Sequence, residues 1–224
     1  MAREAAEPMH RTGTALADAL PLTFAIYGAS AIFLGLILSQ AQVDVAALPA
    51  VYPVAILGSG LLLALCATWL FVVGDTLGTL VAGTFSGFWL SLGVLGLAMV
   101  NNWLKIPATE NTGHIMGLWL MPWAFTVFLW FMLSVRMPFV HTLFYGVTTA
   151  AFSLLIAAFW SNFNDTLSNL AGYLFVASAL VGYYIVADIV ARSLGYMGLP
   201  EGKPASMMAW PRGAASGGGP AKAA

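Results

Sequence analysis

Apolar and polar positions divide the chain into six long apolar stretches with short polar intervals between them. The stretches cover residues 20–39, 48–73, 77–100, 114–135, 139–160 and 167–191. Each reaches the roughly 20 residues that an α-helix needs to cross a hydrocarbon core. The pattern predicts an all-α integral membrane protein with six transmembrane helices. Residues 1–17 read as an N-terminal tail, 18–202 as the transmembrane domain, and the Gly/Ala/Pro-rich 203–224 as a disordered C-terminal tail. The longest interval between spans, residues 101–113, is too short for a soluble domain.

Composition supports the same class. Hydrophobic residues make up 60% of the 224 residues and charged residues 8%. A soluble domain carries about 25% charge, so a soluble globular enzyme is excluded. The net charge of −1 leaves no electrostatic footprint for nucleic acid. The single cysteine, Cys66, lies in an apolar run, which excludes an intrachain disulfide and a cysteine metal cluster.

The few cations orient the spans. Arg3, Arg11, Arg136, Arg192, Lys203, Arg212 and Lys222 fall on one side of the six-span topology, and Lys105 alone on the other. Positively charged loops stay in the cytoplasm, so both termini are expected there, in a cell membrane. Trp103, Trp160, Tyr52 and Tyr196 fall near the expected interfaces, where amphipathic rings are favoured.

Two segments echo each other. Asp75-Thr76-Leu77 opens the third span and Asp165-Thr166-Leu167 the sixth, each followed by Leu three residues on. Because the third and sixth spans start on opposite sides, the echo is compatible with a three-plus-three inverted repeat. Aspartate's preference for helix N-caps and the abundance of Leu account for the same pattern. Thr79, Gly83, Gly87 and Ser91 recur every fourth residue, a spacing that lets helices approach closely and marks the third span as centrally packed, within the monomer or at a contact between subunits.

Candidate chemistry is sparse. Asp188 lies within the sixth span, about one turn from its cytoplasmic end, with Arg192 four residues later on the same face. The two form either an interfacial ion pair or a proton-linked carboxylate with its partner. His114 and His141 fall near opposite ends of the membrane and cannot share a metal. No zinc-protease, phosphate-loop or nucleophile-elbow motif occurs. The expectation is therefore a non-enzyme with no catalytic residues, metal or cofactor. No Lys or Arg sits at mid-membrane, so an anion would have to use helix N-termini and hydroxyls, or cross as the neutral acid.

The third span holds Gly74-Asp75-Thr76-Leu77-Gly78 and then Thr84-Phe85-Ser86-Gly87-Phe88-Trp89. This resembles the G-N-T-F-G and S-Y-G-x-F-W segment of the acetate uptake transporter family, the succinate–acetate permeases. Gly195-Tyr196-Met197-Gly198-Leu199-Pro200-Glu201-Gly202 is similar to that family's G-x-x-x-L-P-x-G ending. The family's N-P-A-P-L-G-L signature entering the first span reads here Asp18-Ala19-Leu20-Pro21-Leu22-Thr23-Phe24, which keeps Pro21 and Leu22. Asp18 can still cap the helix, but it adds a negative charge at the expected cytoplasmic mouth. The resemblance implies a homohexamer of permeases or channels for small monocarboxylates such as acetate, which would move the anion with a proton, or the neutral acid. It also implies a narrow pore closed near its middle by apolar and aromatic side chains, at positions that fall on Tyr27, Phe85 and Val147. All three lie about 14–15 Å along their helices from the cytoplasmic ends, a common level near the midplane. A channel for another small polar solute, such as urea or ammonia, and a non-transporting membrane sensor or structural subunit are the other readings.

Overall fold

The computed structural model describes residues 17–107 and 109–205. Except for residues 17 and 203–205, the expected tails lie outside the described residues. Six helices are long and apolar enough to cross a membrane: α1 (Leu20–Leu38), α2 (Val45–Val72), α3 (Thr76–Val100), α4 (Thr112–Ser134), α5 (Phe139–Trp160) and α6 (Asp165–Ser193).

The helix starts follow from side-chain caps, which satisfy backbone N–H groups that have no partner in the first turn. Asp75 accepts from Gly78 N at 2.9 Å to open α3. Asn111 accepts from Gly113 N at 2.8 Å to open α4, and Asn164 accepts from Leu167 N at 3.1 Å to open α6. The sequence echo therefore does not extend to the caps: Asp75 is the cap of α3, whereas Asp165 is the first residue of α6, behind Asn164. At α1, Asp18 accepts from Leu20 N at 2.9 Å, and Pro21 occupies the first turn.

The second span is not one regular helix. It opens as a 3₁₀ segment at Val45–Ala50, passes through Val51–Pro53, widens into a π-helical segment at Val54–Leu61 and ends as an α-helix at Leu62–Val72. Pro49 and Pro53 have no N–H to give the ladder. Hydropathy could not reveal this change, because the stretch is apolar throughout. The π segment has Ala55, Ser59 and Gly60 on its buried face.

The six helices form a ring in which α1 packs on α2, α2 on α3, α4 on α5 and α5 on α6, and α6 returns to α1, its most extensive partner. Between α3 and α4 the link is aromatic: Phe85 meets Trp130, and Phe88 meets Trp119 and Trp123. The outward faces of α2, α4 and α6 carry exposed Leu57, Phe71, Phe125, Leu133 and Leu180. Apolar side chains thus cover the outside as well as the core, which fits a lipid environment.

Glycine permits the closest crossings. A Cβ on Gly35 of α1 would meet the backbone oxygen of Gly172 on α6, and one on Gly172 would meet the backbone of Gly35 and Leu38. On α3 the tight positions are Gly93 and Gly96, against Ile56 and Tyr52 of α2. Of the Thr79, Gly83, Gly87 and Ser91 stripe, Gly87 is the close approach: a Cβ there would meet Trp123 of α4, whereas Gly83 is exposed beside Ala67 and none of the four is fully buried. The stripe that α3 buries is Gly78, Ala82, Phe85, Ser86, Trp89, Gly93 and Gly96. Tyr52 packs over Gly96, and Trp103, Trp160 and Tyr196 are exposed.

The Gly35–Gly172 crossing yields a stability prediction. Gly172→Val places a branched side chain against the α1 backbone, which cannot rotate away. Overpacking typically costs about 1–3 kcal/mol. The variant should unfold at lower temperature in detergent than wild type, while Gly83→Val, on the exposed side of α3, should leave the melting temperature nearly unchanged.

Candidate functional site

A column of aromatic rings occupies the middle of the helix ring. Tyr27 of α1 is its centre and is 1% exposed. Its ring lies 4.7 Å from Phe85 of α3 and 5.1 Å from Phe144 of α5, centroid to centroid. Its hydroxyl is 2.9 Å from Ser178 Oγ of α6 and 3.3 Å from Thr148 Oγ1 of α5. Thr148 donates to Phe144 O at 2.7 Å and Ser178 to Phe175 O at 2.9 Å. With those protons spent on their own helices, the Tyr27 hydroxyl donates to the shorter contact, Ser178. One side chain thereby touches three other helices, and its polar atom is satisfied although buried.

Tyr27 and Phe85 meet as neighbours in the bundle centre. Val147 does not join them: it is half-buried and outside the buried core. The residues that α5 presents to Tyr27 are Phe144 and Thr148. The reason is helical phase. Each residue turns the helix by about 100°, so Thr148 faces inward with Phe144, Ala151 and Phe152, and Val147 falls at the edge of that stripe, about 100° round from Thr148.

Further layers flank this one. Towards the end where α1, α3 and α5 start, the Phe24 ring lies 5.0 Å from Phe144 and 6.3 Å from His141. His141 Nδ1 is buried without a hydrogen-bond partner. Towards the other end, Phe88 packs 5.0 Å from Phe152, and Phe152 packs 5.4 Å from Phe175. Above Phe88 opens a vestibule of about 300 Å³, lined almost wholly by apolar side chains including Leu34, Leu92, Trp119 and Leu155.

Asp18 is exposed, beside a second cavity of about 420 Å³ that it shares with Leu22, Trp69 and Val73 at the opposite end of the bundle. Pro21 lies in the first turn of α1 and shapes its start rather than the centre of the bundle.

Asp188 is 3% exposed and fully engaged. It pairs with Arg192 Nε at 2.9 Å and accepts from Leu199 N at 2.5 Å. Arg192 Nη2 continues to Glu201 at 2.6 Å. The Tyr184 hydroxyl donates to Pro200 O at 2.8 Å, and Val140 N donates to Glu201 O at 3.1 Å. These bonds fold the segment after α6 back across the ends of α5 and α6. Burial and the neighbouring Asp188 carboxylate raise Glu201 above the usual carboxylate range, and the Arg192 guanidinium opposes them.

The resemblance therefore reached two of the residues at the centre and missed Phe144, Thr148 and Ser178. Their signal in the sequence is a hydroxyl residue at mid-depth in an apolar helix, which becomes informative only when the facing helix is known. Among the described residues no cluster of His, Cys, Asp and Glu could hold a metal.

Comparison with known proteins agrees with this architecture. Over 160 residues the chain is 25% identical to the acetate transporter protein patA of Aspergillus clavatus, a match that covers 67% of this chain and 64% of that protein. The chain thus spans a little under two thirds of that relative's length. The solved structure of the bacterial acetate channel SatP superposes with a TM-score of 0.72 at 20% identity, covering 83% of this chain and 98% of that one, which shows a shared fold. The model of the GPR1/FUN34/yaaH family matches residues 3–203, so this multi-pass membrane protein belongs to that family.

Proposed function

We propose that the chain is a permease or channel for small monocarboxylates such as acetate, and that the solute crosses inside the six-helix ring of a single chain. The observation that carries this reading is the Tyr27–Phe85 contact at the centre of the ring, with an apolar vestibule on one side. Apolar constrictions serve as gates by excluding water. The names of the patA transporter and the SatP channel support a carboxylate as the solute.

The electrostatics favour the neutral acid or a proton-linked anion. Within the six spans the ionisable acids and bases other than His, Tyr and Cys are Asp165, Asp188 and Arg192, all near the ends of α6. A bare carboxylate at mid-membrane would meet no fixed cation, and an uncompensated buried charge costs many kcal/mol. A protonated acid meets hydroxyls instead, and the centre offers those of Tyr27, Thr148 and Ser178. The same lack of a cation favours one other reading, a channel for a neutral solute such as urea. We further propose that both termini face the cytoplasm of a cell membrane and that copies assemble as a homo-oligomer, a hexamer by family resemblance.

The reading is tested by uptake into proteoliposomes. Labelled acetate should enter faster than in protein-free vesicles, and faster still with a lower pH outside. Urea uptake without acetate uptake would replace the carboxylate reading with the neutral-solute one.

Phe85→Ala tests the constriction. If the ring closes the path, the variant should admit larger acids, seen as competition of labelled acetate by succinate that wild type resists. If Phe85 only packs, truncation should cost about 3–5 kcal/mol, as in soluble cores, and leave the size cutoff where it was.

A further inference from the structure

Trp89 is fully buried on α3, and its Nε1 has no hydrogen-bond partner among the described residues. An indole nitrogen is a donor only. Leaving a buried donor unpaired is costly, and a phenylalanine at the same place would avoid that cost. Such a group points to a partner that is not part of the chain.

The position of Trp89 identifies where that partner would be. Trp89 follows Phe85 by four residues, so it lies about one turn further along the same inward face, roughly 40° round from it. The Tyr27–Phe85 contact registers α1 against α3. One turn beyond Tyr27 on α1 is Ser30, so Ser30 and Trp89 occupy neighbouring levels on the vestibule side of the constriction. The hydroxyls nearby in the sequence pattern are already engaged. Ser30 and Ser59 bond to each other, and Ser86 donates to Gly60 O at 2.7 Å. The π-helical segment of α2 supplies both Ser59 and Gly60. Phe88, whose ring lies 5.0 Å from that of Trp89, belongs to the floor of the vestibule. Trp89 therefore sits level with Phe88, about one turn beyond Phe85, with its own N–H unpartnered.

We propose that the Trp89 indole N–H donates a hydrogen bond to the carboxyl oxygen of the permeating solute, at a station level with Phe88 on the vestibule side of the Tyr27–Phe85 constriction. This rests on the carboxylate reading above. A single neutral donor suits a carboxylic acid or carboxylate in passage: it orients the oxygen and holds it without the tight grip of a cation.

The test uses the full chain with ¹⁵N-labelled tryptophan side chains in lipid nanodiscs. Trp89→Phe keeps the ring and deletes the donor, so the indole cross-peak it abolishes is that of Trp89; Trp89→Tyr provides the same assignment independently. Titrating wild type with acetate should move this peak, and chloride at equal ionic strength should leave it in place. In proteoliposomes Trp89→Phe should raise the acetate concentration for half-maximal uptake by roughly tenfold, the scale of one hydrogen bond to a charged group. A Trp89 peak that ignores acetate while wild type transports it overturns the proposal and leaves the carboxylate reading standing, with water as the group's partner. So does a Trp89→Phe variant with wild-type half-saturation. Absence of acetate uptake by wild type overturns both.

Discussion

Tyr27 is the side chain on which the centre of this bundle depends. Helices in lipid gain little from apolar burial alone, since lipid tails are as apolar as the side chains, so close packing and polar links decide which helices meet. Tyr27 supplies both. Its ring packs on Phe85 of α3 and Phe144 of α5, and its hydroxyl reaches Ser178 of α6 and Thr148 of α5. The backbone crossing of Gly35 and Gly172 brings α1 and α6 together on the vestibule side of the same contact. In the proposed path the element that holds the ring together is also the element that closes its middle. A substitution at this level would then act on packing and on passage at once, which is why the size of the admitted solute is a better readout than its rate.

The two ends of the bundle are built differently. At one end an apolar vestibule leads down to Phe88. At the other, Asp188 and Arg192 hold the segment after α6 against the ends of α5 and α6 through Leu199 and Glu201. Asp188 has its lone pairs occupied by the guanidinium and a backbone N–H, so its first task is structural. An ion pair that gathers backbone donors is a fastening, and it holds this segment against the ends of α5 and α6. His141 lies on the same side, beside Phe24 and with its Nδ1 unpartnered.

Much of the fold was legible in the sequence because the membrane imposes a strong rule: about 20 apolar residues per crossing, with breaks where caps can form. Asp75, Asn111 and Asn164 mark helix starts that hydropathy alone would place two or so residues late. The irregular second span was not legible, because a π turn among Val, Leu and Gly leaves hydropathy unchanged. Nor was the inward face of each helix. When every face is apolar, periodicity no longer separates core from lipid, and Gly83 and Val147 were both placed inward although the first is exposed and the second half-buried. Phe85 and Tyr27 came from a motif resemblance, whereas Trp89 stood in the same motif with nothing in the sequence to say that its N–H would be left without a partner.

The central claim is that the path runs through one chain, past Tyr27 and Phe85, and not between copies or along the lipid face. Bromoacetate retains the carboxyl group and adds an anomalous scatterer. Crystals of the protein soaked with it should show bromine inside the six-helix ring, in the vestibule above Phe88 and beside Trp89. Bromine found only between neighbouring chains or on the outward faces of α2, α4 and α6, with the ring interior empty, would contradict the account.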